Sequence, residues 1–167
     1  MAERFNLDIK DIDIEIIHAK NKNLWNEILE IFNKIEFNHL KELYLTGNLI
    51  SDITLLEKLE LNNLEKLWLD KNRIYDINVL EKVNFKELKE LNLSYNQISD
   101  INILEKVKFK GLQILDLSYN QISDIKILEK VNFKKLKKLY LNGNQIDYKD
   151  NSSILKFLKS NISYFIY

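Results

Sequence analysis

Cysteine and proline are absent from this chain of 167 residues, and glycine occurs only three times. Without cysteine the protein cannot form disulfides, and no thiolate is available as a nucleophile or a metal ligand. Without proline, and with so little glycine, the chain contains neither a stiff proline-rich linker nor a flexible glycine-rich one. We therefore expect a single domain over residues 1–167, a length that suits one domain.

The chain also lacks an excess of either charge and any long apolar run. Lys+Arg and Asp+Glu both number 25, so the formal net charge is zero. Proteins that bind polyanions without regard to sequence usually carry a basic excess, so nucleic acid is disfavoured as a partner. No apolar run approaches the roughly 18 residues that cross a bilayer, and acidic residues interrupt the N-terminal segment, unlike a signal peptide. These absences predict a cytoplasmic protein with no membrane partner.

What the chain does contain is a phrase of nine residues that recurs every 24 residues. It reads LKELYLTGN, LEKLWLDKN, LKELNLSYN, LQILDLSYN and LKKLYLNGN, and it begins five units at residues 40, 64, 88, 112 and 136. Residues 88–111 and 112–135 are identical at 18 of 24 positions. A fixed period of this kind indicates supersecondary units stacked on one another, in place of one globular core.

The spacing of apolar residues changes within each unit. Leu91 and Leu93 are two residues apart, the period of a strand, whereas Ile101, Leu104 and Val107 are three apart, the period of a helical or 3-10 segment. Each unit is thus predicted to contain a short strand, a turn and a short helical segment. Successive strands should pair in parallel and line a concave face, because the helical side is wider.

Three further columns of repeated residues have structural interpretations. The amides of Asn48, Asn72, Asn96, Asn120 and Asn144 are expected to bond backbone groups of the turn after each strand. The carboxylates of Asp52, Asp76, Asp100 and Asp124 are expected to accept from free N–H groups where each helical segment begins. A core column with rings packed edge to face is predicted for Phe37, Phe85, Phe109, Phe133 and Phe157.

Both ends of the array look capped, as a stack of repeats requires. The N-terminal cap, residues 1–39, is predicted to contain an edge strand in which Ile12, Ile14 and Ile16 alternate with acids that face water, followed by an amphipathic helix over 24–37. A calcium site formed by those acids is the disfavoured alternative, because their spacing is not that of a calcium loop.

The C-terminal cap, residues 147–167, is predicted to contain a helix and a closing strand. The helix is expected to bury Ile154, Leu155, Phe157 and Leu158, and Asp150, Asn151 or Ser152 is expected to cap it. The closing strand contains Ile162, Tyr164 and Ile166. Because both ends look finished, we expect a complete solenoid.

The L-x-x-L-x-L-x-x-N core and the NQISDI stretch that follows it resemble the short leucine-rich repeats of the internalins and of the regulatory subunit of protein phosphatase 1. The resemblance covers residues 40–146. It implies an α/β solenoid with a curved parallel sheet on the concave face, short helical or 3-10 segments on the convex face, and helical caps at both ends. It also implies adhesion or phosphatase regulation as possible activities. The units here are two residues longer than those typical of these families, and the proline common in internalin repeats is absent.

The residues that flank the second leucine of each phrase are expected to point onto the concave face, and there the units stop repeating. A large aromatic, Trp68, is expected to be exposed there. Aromatic residues anchor many protein interfaces, and charged neighbours add specificity. We predict a non-catalytic module that binds another protein, as a monomer, through Tyr44, Lys66, Trp68, Asp70, Tyr95, Asp116, Tyr119 and Tyr140.

Four alternatives remain at this stage. The face could be an ordinary solvated sheet surface, or the chain could be an RNA-associated adaptor that stacks bases on its aromatic residues. It could also be a spacer or a designed array with no ligand. An enzyme is disfavoured, because the only histidines are His18 and His39 and because phosphate-loop, H-E-x-x-H and G-x-S-x-G motifs are absent. No cofactor or metal is expected.

Overall fold

A computed structural model describes residues 15–18, 37, 39–131 and 133–167. Its central feature is a seven-stranded parallel sheet whose strands follow one another in chain order. The strands are Ile16–His18 (β1), Glu42–Tyr44 (β2), Lys66–Trp68 (β3), Glu90–Asn92 (β4), Ile114–Asp116 (β5), Lys138–Tyr140 (β6) and Tyr164–Ile166 (β7). Between β2 and β6 equivalent residues pair directly, so that Leu43 opposes Leu67 and Leu67 opposes Leu91. The predicted solenoid is confirmed.

Within the residues that the structure describes, four short 3-10 helices return the chain along the other side of the sheet. They are Thr54–Lys58, Asn78–Glu81, Asn102–Glu105 and Lys126–Glu129. With only four or five residues each, these segments are too short to form a run of the i→i+4 hydrogen bonds that stabilise an α-helix. Each begins two residues after an aspartate of the predicted column, and Asp100 Oδ1 accepts from the Asn102 N–H at 2.8 Å. That predicted role is confirmed.

The core lies between the sheet and the 3-10 helices. The middle residue of each strand from β2 to β6 is a leucine that is fully buried. Behind these leucines the rings of Phe85 and Phe109 stack with centroids 6.2 Å apart and planes 16° from parallel. The predicted edge-to-face packing is therefore wrong. Units in register repeat by translation with little rotation, so the rings keep one orientation.

The asparagine column ties each unit to the one before it. Asn96 is 8% exposed, and its Nδ2 lies within hydrogen-bond distance of the carbonyl oxygens of Leu69, Leu93 and Ser94, at 2.9, 3.0 and 3.2 Å. Its Oδ1 accepts from the N–H of Ile74 at 2.9 Å. One side chain thus satisfies buried backbone groups of two units, which confirms the structural interpretation of this column.

The C-terminal end contains the predicted helix, Ser152–Asn161 (α1), and the predicted closing strand, β7. The helix buries Ile154, Leu155 and Leu158, but Phe157 is 42% exposed. The prediction that Phe157 is buried is wrong, because it lies at the margin of the apolar stripe. The predicted capping is also wrong. Asn151 occupies the N-cap position, but its amide donates to the Asp147 carbonyl at 2.8 Å.

At the other end, β1 pairs in parallel with β2 as the first strand of the sheet. Ile17 opposes Leu43 in the core column, whereas Ile16 is 48% exposed. The predicted alternation is therefore wrong by one residue here, because the pairing with β2 fixes which side chains face the core. The predicted strand residues Ile12 and Ile14 and nearly all of the predicted helix over 24–37 lie outside the described residues. The described part of the chain contains no helix that could cross a membrane.

Candidate partner-binding face

The sheet presents two columns of side chains on the face opposite the core, which we call the open face. The first strand positions carry Ile16, Glu42, Lys66, Glu90, Ile114, Lys138 and Tyr164. The third positions carry His18, Tyr44, Trp68, Asn92, Asp116, Tyr140 and Ile166. The turns that follow the strands, called post-strand turns below, form one edge of this face.

A hydrogen-bonded network occupies the open face over β2, β3 and β4. Glu42 stands at its centre: its Oε1 lies 2.8 Å from the Lys66 ammonium, and its Oε2 accepts from the Tyr44 hydroxyl at 2.6 Å. The bond from Lys66, followed by that from Tyr44, holds the pKa of Glu42 below its usual value. The same contact with Glu42 raises the pKa of Lys66. Both groups are therefore charged and paired at neutral pH.

Aromatic rings extend this network toward β1 and β4. His18 stacks on Tyr44 with centroids 4.4 Å apart, and Trp68 meets Tyr44 edge-on at 5.1 Å. The indole Nε1 of Trp68 donates to Glu90 Oε1 at 2.9 Å. Trp68 is half-buried, less exposed than predicted, and Tyr44 beside it is only 8% exposed. Both make further interactions, and neighbouring side chains on adjacent strands cover each other.

Tyr95 and Tyr119 form a second and more exposed group at the edge of the open face. Their rings stack with centroids 4.3 Å apart and planes 10° from parallel, and each residue is 47% exposed. The Lys71 ammonium lies 5.8 Å from the centroid of the Tyr95 ring. Partial desolvation, followed by a hydrogen bond with Tyr119, raises the pKa of Tyr95. The Tyr95 hydroxyl therefore remains a hydrogen-bond donor at neutral pH.

The backbone beneath this pair is in a conformation that favours glycine. Five equivalent post-strand residues have positive φ: Gly47 at 70°, Lys71 at 56°, Tyr95 at 54°, Tyr119 at 53° and Gly143 at 73°. A residue with a side chain costs roughly 1–2 kcal/mol in this region. The first and last turns carry glycine, and the three central turns do not. Both tyrosines were predicted from the sequence but their positive φ was not, although the glycines at equivalent positions of the first and last units were a usable signal for it.

The glycine at the last of these turns also makes room for the tyrosine beside it. A Cβ placed on Gly143 would lie 2.6 Å from Cδ1 of Tyr119, closer than any real contact. The Tyr119 ring therefore lies flat against the backbone of the next turn. Tyr95 in turn lies on Tyr119, so the two rings form a rigid platform that rests on Gly143.

A low polar floor separates Trp68 from Tyr140 on the strands themselves. Asp116 Oδ1 accepts from both the backbone N–H and the hydroxyl of Ser118, at 2.9 and 2.6 Å. Asn92 makes the same pair of bonds with Ser94, at 3.0 and 2.8 Å. These bonds hold the two short side chains down, so the larger aromatic residues rise on either side of them.

The remaining predicted residues divide between this floor and the interior. Tyr140 lies beside Tyr164, with centroids 5.6 Å apart, and burial, followed by the charges of Tyr164 and Asp116, raises its pKa. Asp70 is only 8% exposed and accepts from the Thr46 hydroxyl at 2.7 Å. The prediction that Asp70 belongs to an exposed charged surround is therefore wrong, because it stabilises the turn from below.

Metal-ligating side chains do not form a cluster of three or more anywhere in the described ranges of the chain. Most of the acids considered for a calcium site precede residue 15 and so lie outside those ranges. The arrangement on the open face therefore consists of aromatic rings, hydroxyl groups and paired charges, which are groups suited to non-covalent contact.

Comparison with known proteins agrees with the repeat, the parallel sheet and the asparagine column. The family described as Leucine Rich repeats (2 copies) matches residues 62–106 and 110–156, more than half of the chain. The chain belongs to the leucine-rich repeat family. Domains of this family typically mediate protein–protein interactions and are typically not enzymes. No curated protein matches the chain.

Several solved structures of leucine-rich repeat proteins are similar to this one. An internalin of Listeria monocytogenes has a TM-score of 0.62 and 31% identity over 77% of this chain, and internalin C2 of the same species has 0.60 and 30% over 78%. A leucine-rich repeat protein of Leptospira interrogans has a TM-score of 0.63 and 26% identity over 96%. The similar regions cover 35%, 53% and 42% of those chains respectively, so this chain spans only part of their length.

Proposed function

We propose that this leucine-rich repeat chain is a non-catalytic module that binds another protein on its open face. The observation that carries the proposal is the stacked pair of Tyr95 and Tyr119. Two large, half-exposed rings stand at backbone positions that favour glycine, and exposed side chains of this kind are not needed for folding. Tyrosine is enriched at protein interfaces, because its ring offers a large contact area at a low cost in conformational entropy.

The surroundings of the pair support a two-part site. Tyr95 and Tyr119 supply a rigid platform at the edge, and the floor between Trp68 and Tyr140 offers a shallow recess for a partner's side chains. Asp116 uses one carboxylate oxygen in its bonds to Ser118, which leaves the other available to accept from a partner. Tyr44, Lys66 and Asp70 are expected to act by positioning other residues of the site. Tyr44 and Lys66 fix the hydrogen-bonded network next to Trp68, and Asp70 stabilises the post-strand turn.

The proposal includes the finer expectations from the sequence: a cytoplasmic protein that is monomeric and whose partner is a protein. Two observations support a protein partner over RNA. Tyr95 and Tyr119 already stack on each other, and Tyr119 also lies against the backbone at Gly143, so little ring surface is left for stacking with bases. The basic residues of the open face are also few. Lys66 is paired with Glu42, which leaves little positive charge for a phosphate backbone on this face.

The test is capture from a lysate of the cells that encode the protein, with three baits. The wild type is compared with Tyr95→Gly/Tyr119→Gly, in which glycine suits the backbone and only the rings are lost. The control is Tyr75→Ala, which removes a tyrosine that is 63% exposed on the 3-10 helix side. We expect a partner on the wild type and the control and at least a 30-fold loss with the double variant, or about 2 kcal/mol.

Two results would count against this site. Equal capture by all three baits would move the partner to another surface. Capture lost with Tyr75→Ala but kept with the double glycine variant would place the site on the 3-10 helix side.

A second variant, Gly143→Ala, keeps both tyrosines. The added Cβ would displace the Tyr119 ring from its position against the backbone, and so this variant should also weaken capture.

A further inference from the structure

The turns that lead into the strands, on the opposite edge of the sheet from the tyrosine pair, carry a separate feature. These pre-strand turns lie at residues 62–63, 86–87, 110–111 and 134–135. The last three turns and the residues around them present exposed lysines, which we call the lysine stripe. Its members are Lys86, Lys108, Lys110, Lys134, Lys135 and Lys137.

In the column of residues just before the strands, ion pairs neutralise the lysines of the earlier units but not that of the last unit. Lys41 pairs with Glu15, and Lys89 pairs with Glu65 at 2.7 Å. The next residue of that column is Gln113. Lys137 follows it and, within the described ranges, has no ion pair; the same holds for the other members of the stripe.

The stripe also sets like charges side by side. Lys86, Lys110 and Lys134 occupy the same position in three successive units, so adjacent members are about 5 Å apart at the backbone. Like charges at this separation repel one another. In the column just before the strands the charges alternate instead from Lys41 to Glu65 to Lys89, and Lys89 pairs with Glu65 at 2.7 Å. The stripe lysines lack such acidic neighbours in the same column of adjacent units.

The zero net charge of the chain hides an uneven distribution. Residues 40–65 contain 2 basic and 5 acidic residues, whereas residues 106–159 contain 12 basic and 5 acidic residues. Because the units stack in chain order, this difference in sequence is also a difference in space. The zero net charge disfavours anionic partners for the chain as a whole, whereas this edge carries a local excess of positive charge.

We propose that the lysine stripe binds a short acidic polypeptide segment, at a surface separate from the tyrosine platform. From Lys86 to Lys134 the stripe crosses two strand spacings, about 10 Å, which an extended segment of three or four residues would span. A long polyanion would continue onto the acidic units at the other end of the array, which repel it. A short segment would not reach them.

The side chains of this edge also favour carboxylates over nucleic acid. The stripe contains lysine but no arginine, the residue whose planar fork matches phosphate best. Of the three phenylalanines adjacent to it in sequence, Phe85 and Phe109 are each only 2% exposed, and Phe133 is partly buried against the core. These rings cannot stack with bases, as proteins that bind single-stranded nucleic acid generally require.

The test is the fluorescence anisotropy of a labelled octaglutamate peptide at low ionic strength. The wild-type protein should bind it, and added salt should weaken binding by screening. Lys110→Glu/Lys134→Glu/Lys137→Glu should bind at least tenfold more weakly. The control, Lys58→Glu/Arg73→Glu/Lys126→Glu, changes the net charge by the same amount at exposed positions outside the stripe, and it should keep most of the affinity.

Several outcomes would overturn the proposal: no binding of octaglutamate by the wild type, an equal loss in the control, or tighter binding of oligouridylate or of phosphatidylserine vesicles than of the peptide. If the triple glutamate variant does not fold, Lys110→Gln/Lys134→Gln/Lys137→Gln provides the same test with a smaller change in charge. Tyr95→Gly/Tyr119→Gly should bind octaglutamate like the wild type, so this surface and the tyrosine platform are tested independently.

Discussion

Two neighbouring residues in each post-strand turn behave in opposite ways. The asparagine of every turn is the same residue in all five units, and from Asn72 to Asn144 its amide bonds to carbonyl oxygens of two adjacent units. The residue before it changes from Gly47 to Lys71, Tyr95, Tyr119 and Gly143, although its φ stays positive throughout. Residues that are identical in every unit stabilise the packing of the units. A position where the backbone favours glycine, but where other residues occur, is expected to have a role other than folding.

The strongest test of the repeated positions is the phenylalanine column. Phe109 is 2% exposed, whereas Phe157, in the same column, is 42% exposed. We expect Phe109→Ala to lower the free energy of unfolding by about 4 kcal/mol, through lost burial and a cavity. Phe157→Ala is the control and should cost about 1 kcal/mol or less, since most of the ring's burial is missing. Urea denaturation measures both, and equal losses would contradict the assignment of Phe157 to the margin.

Asn96→Ala should give the next largest effect. It leaves the carbonyl oxygens of Leu69, Leu93 and Ser94 and the N–H of Ile74 without this partner, and we expect a loss of about 3 kcal/mol. Asn144→Ala should cost less, because Asn144 is only half-buried. Asn102→Ala, at an exposed position, is the control. If the urea midpoint falls equally in Asn96→Ala and Asn102→Ala, the structural role of the asparagine column is refuted.

The changing position should respond very differently. In Tyr95→Gly/Tyr119→Gly the relief of two positive-φ residues, roughly 1–2 kcal/mol each, is offset by the lost ring stacking and by the greater freedom of glycine when unfolded. We therefore expect the free energy of unfolding to change by no more than about 1 kcal/mol. A loss as large as that of Asn96→Ala would show that the tyrosines are there for folding.

The smallest effect concerns the pH dependence of the network around Glu42. Because the folded pKa of Glu42 is lowered from 4.5, its contribution to stability is complete above that value and is lost as the pH falls through the folded pKa. Between about pH 7 and about pH 3, the wild type should therefore lose a few tenths of a kcal/mol more than Glu42→Gln. If the urea midpoints of the wild type and of Glu42→Gln fall by the same amount as the pH is lowered, the network around Glu42 does not affect stability.

The sequence predicted the sheet well, because a period of 24 residues leaves little choice. Leu91 and Leu93 give the strand, Ile101 and Leu104 give the 3-10 segment, and the asparagine column gives the turn. The prediction from sequence was wrong at the N-terminal end, where the 24-residue pattern is not present to fix which residues face the core. At β1 the alternation of Ile12, Ile14 and Ile16 suggested one set of buried residues, but pairing with β2 put Ile17 in the core instead.

The sequence predicted which residues belong to the candidate site, but not how their side chains contact one another. Counting residues from Leu91 identifies which side chains leave the core, so Tyr95 and Tyr119 could be chosen from the sequence. Their stacking, the burial of Tyr44 and the bond between Trp68 and Glu90 depend on side-chain packing across strands, which a repeat pattern does not encode. The role of Asp70 was missed for the same reason, because its partner Thr46 lies one unit away.

The most direct measurement is site-specific photocrosslinking. p-Benzoylphenylalanine replaces Tyr119 in one sample and Tyr75 in a second, and each is irradiated in the lysate used for capture. We expect a crosslinked protein from position 119 that is absent from position 75, and its loss when unlabelled wild-type protein competes. The same adduct from both positions, or an adduct from position 75 alone, would contradict a partner site on the open face.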